Sequence, residues 1–319
     1  MRRFLGLFTG FANTFLKRIV SFFAEKRMAY HWFFRPKKPL LRQTEFRNAN
    51  FLVLANEDVG WSLLRLKKYE PNELKLLEQV IRKNDVCIDV GANIGIYSVF
   101  MAKKAYNGEV VAFEPVPFNR NILAINMGLN GITNVQIHGC VLSDTVGAVR
   151  FSVSEDTAYS SLQPTNVKQE TSSLDIQADT LDNLFAKERQ KVDVMKIDVE
   201  GAELLVLKGG EQLLSAAELR PRALLVELGA QHQSTYGYQP EDVVAYMGTL
   251  GYAVYSVTAR GAEKGWPMKG AANVLFIHND DRMPLEVSMS READPPAPAT
   301  TPRSSLSFTP LAGTWGLEC

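Results

Sequence analysis

Histidine and cysteine are both scarce in this sequence. The chain has 319 residues but only three cysteines and four histidines. Cys87 and Cys140 lie in apolar, strand-like runs and Cys319 ends the chain, so they form neither a metal-ligand spacing nor an even disulfide set. We therefore expect a reducing, cytoplasmic compartment, with Cys87 and Cys140 as small core residues. No histidine spacing supports a transition-metal centre, and no bound metal is predicted.

Net charge is absent as well. The 35 basic residues balance 35 acidic ones, so the whole chain has no field that would draw it towards polyanions. This balance predicts that nucleic acid is not a partner.

Long apolar runs that could span a membrane are also lacking. The apolar run 4–16 has thirteen residues, whereas a spanning helix needs about 20, and no signal-cleavage pattern follows it. Its phenylalanines are spaced by four and three along one stripe, with basic residues on both sides: Phe4, Phe8, Phe11 and Phe15. Two interpretations stay open, a helix in the membrane interface formed by residues 1–28 or an accessory helix that covers the domain.

Length and composition favour one large α/β domain with an extension at each end. We predict an amphipathic extension over residues 1–45 and the main domain over residues 46–282. Residues 283–319 are rich in Pro, Ala, Ser and Thr. Such a composition buries too little apolar surface to fold, so a disordered tail is predicted there.

The most informative segment runs from Val86 to Pro115. It places a glycine-bearing turn between an apolar strand, closed by Asp89, and a helix whose first N–H groups are unpaired. The next strand ends at Glu114, where a carboxylate can accept both hydroxyl protons of a ribose. This arrangement predicts a nucleoside-cofactor site.

The sequence of the turn indicates which class of cofactor it can accommodate. It reads Gly91-Ala92-Asn93-Ile94-Gly95, and it lacks the middle glycine that makes room for a pyrophosphate in dinucleotide sites. S-adenosylmethionine fits instead, because it has one adenosine, no phosphate and an amino-acid end that needs polar partners near Asp89 and Asn93.

Three sequence blocks resemble the FkbM-type family of S-adenosylmethionine-dependent methyltransferases. They are IDVGANIGIYS at 88–98, AFEPVP at 112–117, and MKIDVEGAELLVLKGG at 195–210 followed by LLVEL at 224–228. The resemblance covers roughly residues 70–280. It implies a Rossmann-like, seven-stranded class I methyltransferase sheet with helices on both faces and a reversed last strand.

The alternation of strand-like and helix-like segments agrees with such an α/β sheet. Before the glycine turn we predict a hairpin of residues 51–54 and 62–66 and a helix over 71–83. After it we predict strands over 135–142, 149–153, 192–199, 223–228, 253–257 and 273–277, and helices over 117–130, 202–207 and 241–250.

Ligands in such sheets sit at the carboxyl ends of the strands. We assign Asp89, Gly91, Asn93, Gly95 and Glu114 to the cofactor. Ser143 and Asp144 follow the predicted third strand, where they could hold the adenine amino group. The same residues before Thr145 and Gly147 also suit an ordinary turn.

A second acidic group is predicted at the next two strand ends. Asp198 and Glu200 alternate with Val199 and should project to one side, and Glu227 lies on the neighbouring strand. Like charges at short range raise one pKa, which suits a base for methyl transfer to a hydroxyl. Two other interpretations stay open: Asp198 as a cofactor ligand or helix cap, and a divalent ion held by the three carboxylates.

His232, after the fifth strand, could relay the proton or be an exposed loop residue. Tyr159, Ser160 and Ser161 lie in a predicted insertion that either bonds the hydroxyls of an acceptor or forms a plain loop. The predicted function is methyl transfer from S-adenosylmethionine to an oxygen of a small molecule, namely a hydroxyl of a sugar, glycan or specialised metabolite. The alternatives are a non-catalytic nucleotide-binding scaffold and a dinucleotide or nucleotide-sugar oxidoreductase.

Overall fold

A computed structural model describes residues 36–164, 169–266 and 272–281. The predicted amphipathic segment 1–28 and the predicted tail 283–319 lie outside these residues. The chain divides into two compact units between Tyr69 and Glu70, and each is described by itself. None of the helices in the described ranges is long and apolar enough to cross a membrane.

The first unit contains a β-hairpin that differs from the predicted one. Strand β1 (Leu41–Phe46) pairs antiparallel with β2 (Ala49–Leu54), and the two residues between them both have positive φ angles, as tight hairpin turns require. Helix α1 (Asp58–Trp61) follows, and Ser62–Leu66 forms a π-helix. The predicted second strand over 62–66 is therefore wrong, because a five-residue apolar run fits a helix as well as a strand.

The second unit alternates strands and helices. Its strands are β3 (Val86–Val90), β4 (Glu109–Phe113), β5 (Val135–His138), β6 (Val141–Leu142), β7 (Gly147–Ser154), β8 (Glu170–Asp179), β9 (Val194–Ile197), β10 (Ala223–Leu228), β11 (Tyr252–Thr258), β12 (Gly261–Lys264) and β13 (Ala272–His278). Its α-helices are α2 (Pro71–Val80), α3 (Ile96–Lys104), α4 (Pro117–Leu129), α5 (Glu203–Lys208), α6 (Glu211–Ser215), α7 (Ala230–Gln233) and α8 (Pro240–Thr249). Thr157–Tyr159 and Ser234–Tyr236 are 3-10 turns, and Asp182–Ala186 is a π-helix.

Eight strands form the main sheet in the order β5-β4-β3-β9-β10-β13-β11-β12. The five strands from β5 to β10 are parallel, whereas β13 runs antiparallel to both β10 and β11. The predicted α/β class and reversed last strand are therefore confirmed. The eighth strand is β12, which adds an edge to β11 in a glycine-rich stretch that had no predicted structure.

The chain runs outward from the centre of this sheet in two directions. From β3 it continues to β4 and β5, whereas from β9 it continues to β10 on the other side. Because crossover connections between parallel strands are right-handed, the helices of the two halves cover opposite faces. The adjacent ends of β3 and β9 form the switch point at which such sheets bind ligands.

A second sheet of three strands, in the order β6-β8-β7, interrupts the pattern between β5 and β9. The predicted third strand over 135–142 is therefore wrong at its end. It stops at His138, and Val141–Leu142 pair instead with Ala178–Asp179 of β8. The predicted strand 149–153 lies within β7, which belongs to this smaller sheet. Strand β8 itself has many polar residues, and its mostly exposed and half-buried positions explain why its sequence resembles a loop.

The core surrounds the main sheet. Buried side chains from β3, β4, β9, β10 and β13 form one continuous hydrophobic cluster with residues of α5, α6 and α8. Cys87 and Cys140 are both buried. Cys87 is a free thiol, as expected of a small core residue. Cys140 is disulfide-bonded, so the prediction that it is a free core thiol is wrong.

Candidate active site

The glycine turn follows β3 and is fixed by its neighbours. The N–H groups of Gly91 and Ala92 both donate to Phe113 O, at 3.0 Å. Gly91 has φ +78°, and a Cβ there would lie 1.8 Å from Asp198 O. Only glycine therefore fits, and the close approach it permits is to the chain after β9. Gly95 has φ +83° where α3 begins, and its Cβ would lie 2.8 Å from Leu123 Cγ.

Glu114 connects this turn to the end of β4. Its Oε2 accepts a hydrogen bond from Asn93 N at 2.8 Å, and its Oε1 accepts one from Val116 N at 2.8 Å. Burial raises the pKa of this carboxyl to about 7, although both N–H groups oppose the shift. Each carboxylate oxygen can accept a second hydrogen bond, so the group both shapes the turn and retains capacity for two ligand hydroxyls.

Two buried oxygens beside the turn have no hydrogen-bond partner within the described part of the chain. They are Asp89 Oδ1 and Asn93 Oδ1. Asp89 is fully buried, and its other oxygen accepts from Ser98 Oγ at 2.6 Å. Buried polar atoms are nearly always paired, so such exceptions mark positions where a ligand donor would be accommodated.

The contacts of Ser143 and Asp144 are with residues outside the glycine turn. Because β5 ends at His138, they follow β6 of the smaller sheet instead. Ser143 N donates to Asp179 O at 2.9 Å, and Ser143 O faces Gly209, whose Cβ would lie 2.0 Å from it. Asp144 is exposed. The reasoning that placed these two residues at the end of the third main-sheet strand does not hold.

Asp198, Glu200 and Glu227 are brought together as predicted, but by a turn rather than by an extended strand. Strand β9 ends at Ile197, and Glu200 adopts a left-handed conformation with φ +55°. Ligand atoms of the three carboxylates all lie within 4.8 Å of one another. The cluster lies at the switch point, because Asp198 N donates to Val90 O of β3 at 3.0 Å.

Lys196 affects the pKa values of these carboxyl groups. This buried ammonium donates to Asp198 Oδ2 at 2.7 Å. Burial would raise the pKa of Asp198, but Lys196 and a hydrogen bond shared with Glu227 hold it below its ordinary value. The Asp198 charge, with burial, raises the pKa of Glu227 well above its ordinary value. Of the two carboxyls, Asp198 is therefore the one that ionises more readily, and Glu227 is the one that holds a proton more readily.

Glu200 forms a separate pair with His232 of α7. His232 Nδ1 lies 2.7 Å from Glu200 Oε2, and both side chains are largely buried. Burial raises the pKa of Glu200 to about 7 against the opposing effect of His232. The contact with Glu200 raises the pKa of His232 despite its partial burial. The pair therefore exchanges a proton near neutral pH.

Lys196 also contacts residues that sequence reasoning did not assign to the site. Its Nζ lies 4.5 Å from the centre of the Tyr97 ring, and Tyr97 Oη donates to Glu70 Oε2. The charges of Asp198, Asp89 and Glu70 raise the pKa of Lys196, although its burial opposes the shift. The sequence itself indicates that Lys196 lies near Asp198, because residues i and i+2 of a strand share a face.

The turn that carries Glu200 is held by a second buried carboxylate. Glu203 Oε1 accepts from Gly201 N at 3.0 Å and from Val199 N at 3.3 Å, and its Oε2 accepts from Gln233 Nε2 at 3.0 Å. Gln233 belongs to α7, next to His232. Glu203 therefore fixes both the left-handed turn and the helix that bears the histidine.

Ser160 and Ser161 serve the protein's own structure. Ser160 Oγ accepts from Ser154 N at 3.1 Å. Ser161 Oγ lies 2.7 Å from Tyr236 Oη and 3.3 Å from Glu200 O, to which it donates. The Ser161 hydroxyl therefore contacts the Glu200 turn, whereas the Ser160 hydroxyl bonds to the end of β7.

The three carboxylates are close enough to share one cation. However, the buried Lys196 ammonium already brings positive charge to this cluster, at Asp198. The arrangement can stabilise a ligand with a positive charge near Asp89, and it can accept a proton at the Glu200–His232 pair.

Comparison with known proteins agrees with this geometry. The model of the methyltransferase FkbM domain matches residues 89–254. The chain is 30% identical over 209 residues to hexuronic acid methyltransferase AglP of Haloferax volcanii, covering 65% of this chain and 79% of that protein. It is 28% identical over 162 residues to methyltransferase sdnD of Sordaria araneosa, covering 40% of this chain and 61% of that protein's length.

Among solved structures, M. jannaschii TYW2 in complex with AdoMet has a TM-score of 0.39 at 15% identity, covering 76% of this chain and 89% of that one. The family match includes both the glycine turn and the acidic turn after β9. The chain belongs to the FkbM family of methyltransferases, and S-adenosylmethionine is its cofactor.

Proposed function

We propose that this protein transfers the methyl group of S-adenosylmethionine to a hydroxyl oxygen of a sugar, glycan or specialised metabolite. One observation carries the proposal: Asp198 and the Glu200–His232 pair lie together at the switch point, beside the turn that ends at Glu114. The name of AglP, a hexuronic acid methyltransferase, supports a sugar as the acceptor.

The donor would lie along the turn after β3. The two ribose hydroxyls would donate to Glu114, and the methionine ammonium would donate to Asp89 Oδ1 and Asn93 Oδ1, which need such a partner. Backbone N–H groups and the glycines Gly91 and Gly95 set the shape of this turn. We propose no adenine contact for Ser143 or Asp144, because they follow β6 of the smaller sheet and not the third strand of the main sheet.

The chemistry is an in-line displacement. S-adenosylmethionine bound at this turn would supply a sulfonium methyl group, which the acceptor oxygen would take while the electron pair of the broken carbon–sulfur bond returned to sulfur. The acceptor hydroxyl loses its proton to the acid cluster, where Asp198 orients the hydroxyl and the Glu200–His232 pair takes the proton. Glu227, whose pKa is raised by the Asp198 charge, would donate a hydrogen bond to Asp198 in its protonated form. Positioning of the two reactants supplies much of the rate.

Two measurements test this function together. Calorimetric titration with S-adenosylmethionine and with NAD should show binding of the first only. Incubation with methyl-labelled donor and a panel of neutral sugars, hexuronic acids and their glycosides should label at least one acceptor, and the product should survive mild base as an ether does. Binding of NAD alone would overturn the donor, and a base-labile ester product would overturn the hydroxyl acceptor.

A further inference from the structure

The balanced charge of the whole chain conceals a strong segregation. The compact unit that ends at Tyr69 contains 14 basic and 4 acidic residues, whereas the remaining 250 positions contain 21 basic and 31 acidic residues. Opposite net charges of equal size therefore cancel in the total. The net charge of the whole chain therefore predicts no electrostatic attraction to polyanions, whereas the net charge of this unit predicts such an attraction.

The described part of the first unit, residues 36–69, presents this charge to solvent. Its basic side chains all belong to exposed residues: Lys37, Lys38, Arg42, Arg47, Arg65, Lys67 and Lys68. Of its three acids, only Glu45 is exposed, whereas Glu57 is buried and Asp58 is half-buried. The exposed charged side chains of residues 36–69 are therefore predominantly cationic.

Two large apolar side chains are exposed in the same segment as these cations. Leu41 and Leu66 are large hydrophobic residues that remain 42% and 43% exposed. Leu41 precedes Arg42, and Leu66 lies between Arg65 and Lys67. A phosphate backbone offers no partner for an aliphatic side chain, whereas a bilayer surface accepts both its charge and its apolar tip.

The sequence before residue 36 has the same combination. Residues 1–35 contain seven basic residues and one acidic residue, together with eight of the chain's 17 phenylalanines. Aromatic residues favour the membrane–water interface. Cationic and apolar character therefore coincide throughout the first 69 positions.

We propose that the exposed basic surface of residues 36–69 docks the enzyme onto an anionic lipid surface, with its lysines and arginines contacting lipid phosphates. Basic side chains near such a surface act additively and over about a Debye length, so the binding depends on salt. The catalytic unit does not need this contact for its chemistry. Docking would instead bring it to acceptors that reside at a membrane.

The test is co-sedimentation of the full chain with two kinds of vesicle, phosphatidylcholine alone and phosphatidylcholine mixed with phosphatidylglycerol. We expect partitioning onto the mixed vesicles only, and its loss in high salt. The variant Lys37→Gln, Lys38→Gln, Lys68→Gln should bind roughly 100-fold more weakly. The matched control Lys75→Gln, Lys83→Gln, Lys104→Gln removes the same charge from exposed positions of the second unit and should bind as the parent does.

Equal loss in the two triple variants would overturn the proposal, and so would equal binding to both kinds of vesicle. A duplex or single-stranded oligonucleotide that binds the full chain while the mixed vesicles do not would assign the surface to nucleic acid instead. The unfolding midpoints of both variants should be measured to check that the chain stays folded. Methyl transfer to a soluble acceptor, measured in parallel, reports on the proposed function separately.

Discussion

The two halves of the candidate site are built differently. The donor turn after β3 is held by backbone groups: Phe113 O accepts two N–H groups, and Glu114 accepts two more. The acidic turn after β9 depends on side-chain charges from several elements, because Lys196, Glu227 and His232 set the state of Asp198 and Glu200. Changes in the first half should therefore alter donor affinity, and changes in the second half should alter proton transfer.

Lys196→Met should have the largest effect, because it removes the only described ammonium that contacts the buried side of Asp198. Leaving a buried charge uncompensated costs about 3–5 kcal/mol of the free energy of unfolding. Urea unfolding at pH 8 measures this loss, which should shrink at pH 5 as the carboxylates take up protons. Lys191→Met is the control, since its exposed pair with Asp193 contributes at most about 1 kcal/mol. Equal losses of unfolding free energy in both variants would show that Lys196 does not compensate a buried charge at Asp198.

Glu114→Ala should come next, because it removes the acceptor assigned to both ribose hydroxyls. Charge-assisted hydrogen bonds contribute about 1.5–3 kcal/mol each, so we expect the dissociation constant of S-adenosylmethionine to rise roughly 100-fold or more. The variant should also unfold more easily, since Asn93 N and Val116 N lose their acceptor. Calorimetry on the variant and on Glu109→Ala, at the other end of β4, separates these effects. Unchanged donor affinity would show that the ribose lies elsewhere.

The pH dependence of kcat/KM should report the Glu200–His232 pair. The active form has a free base, and the pKa of Glu200 is about 7, so activity should fall as the pH drops below about 7. Asp198, Glu203 and His232 are the charged groups that affect Glu200. In Glu200→Gln, His232 loses the contact that raises its pKa, so the acidic limb should move to lower pH. An unchanged limb would exclude this pair as the proton acceptor.

Metal removal should have the smallest effect. Because Lys196 already supplies a positive charge to the carboxylate cluster at Asp198, chelation with EDTA should change the rate less than about twofold. Loss of activity that magnesium restores would show that Asp198, Glu200 and Glu227 bind a divalent ion.

The donor half could be predicted well from sequence because its signals are local. Gly91, Gly95 and Glu114 lie within 24 residues, and each shows a backbone or strand-end requirement directly in the sequence. The neighbouring positions of Asp198, Glu200 and Glu227 also followed from strand periodicity and sheet order, although the turn at Glu200 was not foreseen.

Other features depended on the tertiary structure. The chain leaves the main sheet after His138, which moved Ser143 and Asp144 to a smaller sheet that the sequence did not indicate. The opposite pKa shifts of Asp198 and Glu227 require the contact with Lys196, and spacing alone does not reveal how deeply that ammonium is buried. Glu70 and Tyr97 reach the same lysine from separate elements, so no single motif contains them.

The separation between donor binding and proton transfer is tested most directly by Asp198→Asn. Donor affinity from calorimetry and the rate of a single turnover with saturating labelled donor should be measured on the same preparation. We predict a dissociation constant within about threefold of the parent value and a turnover rate roughly 100-fold lower. A variant that transfers methyl at the parent rate, or that loses donor binding in proportion to its rate, would contradict the account.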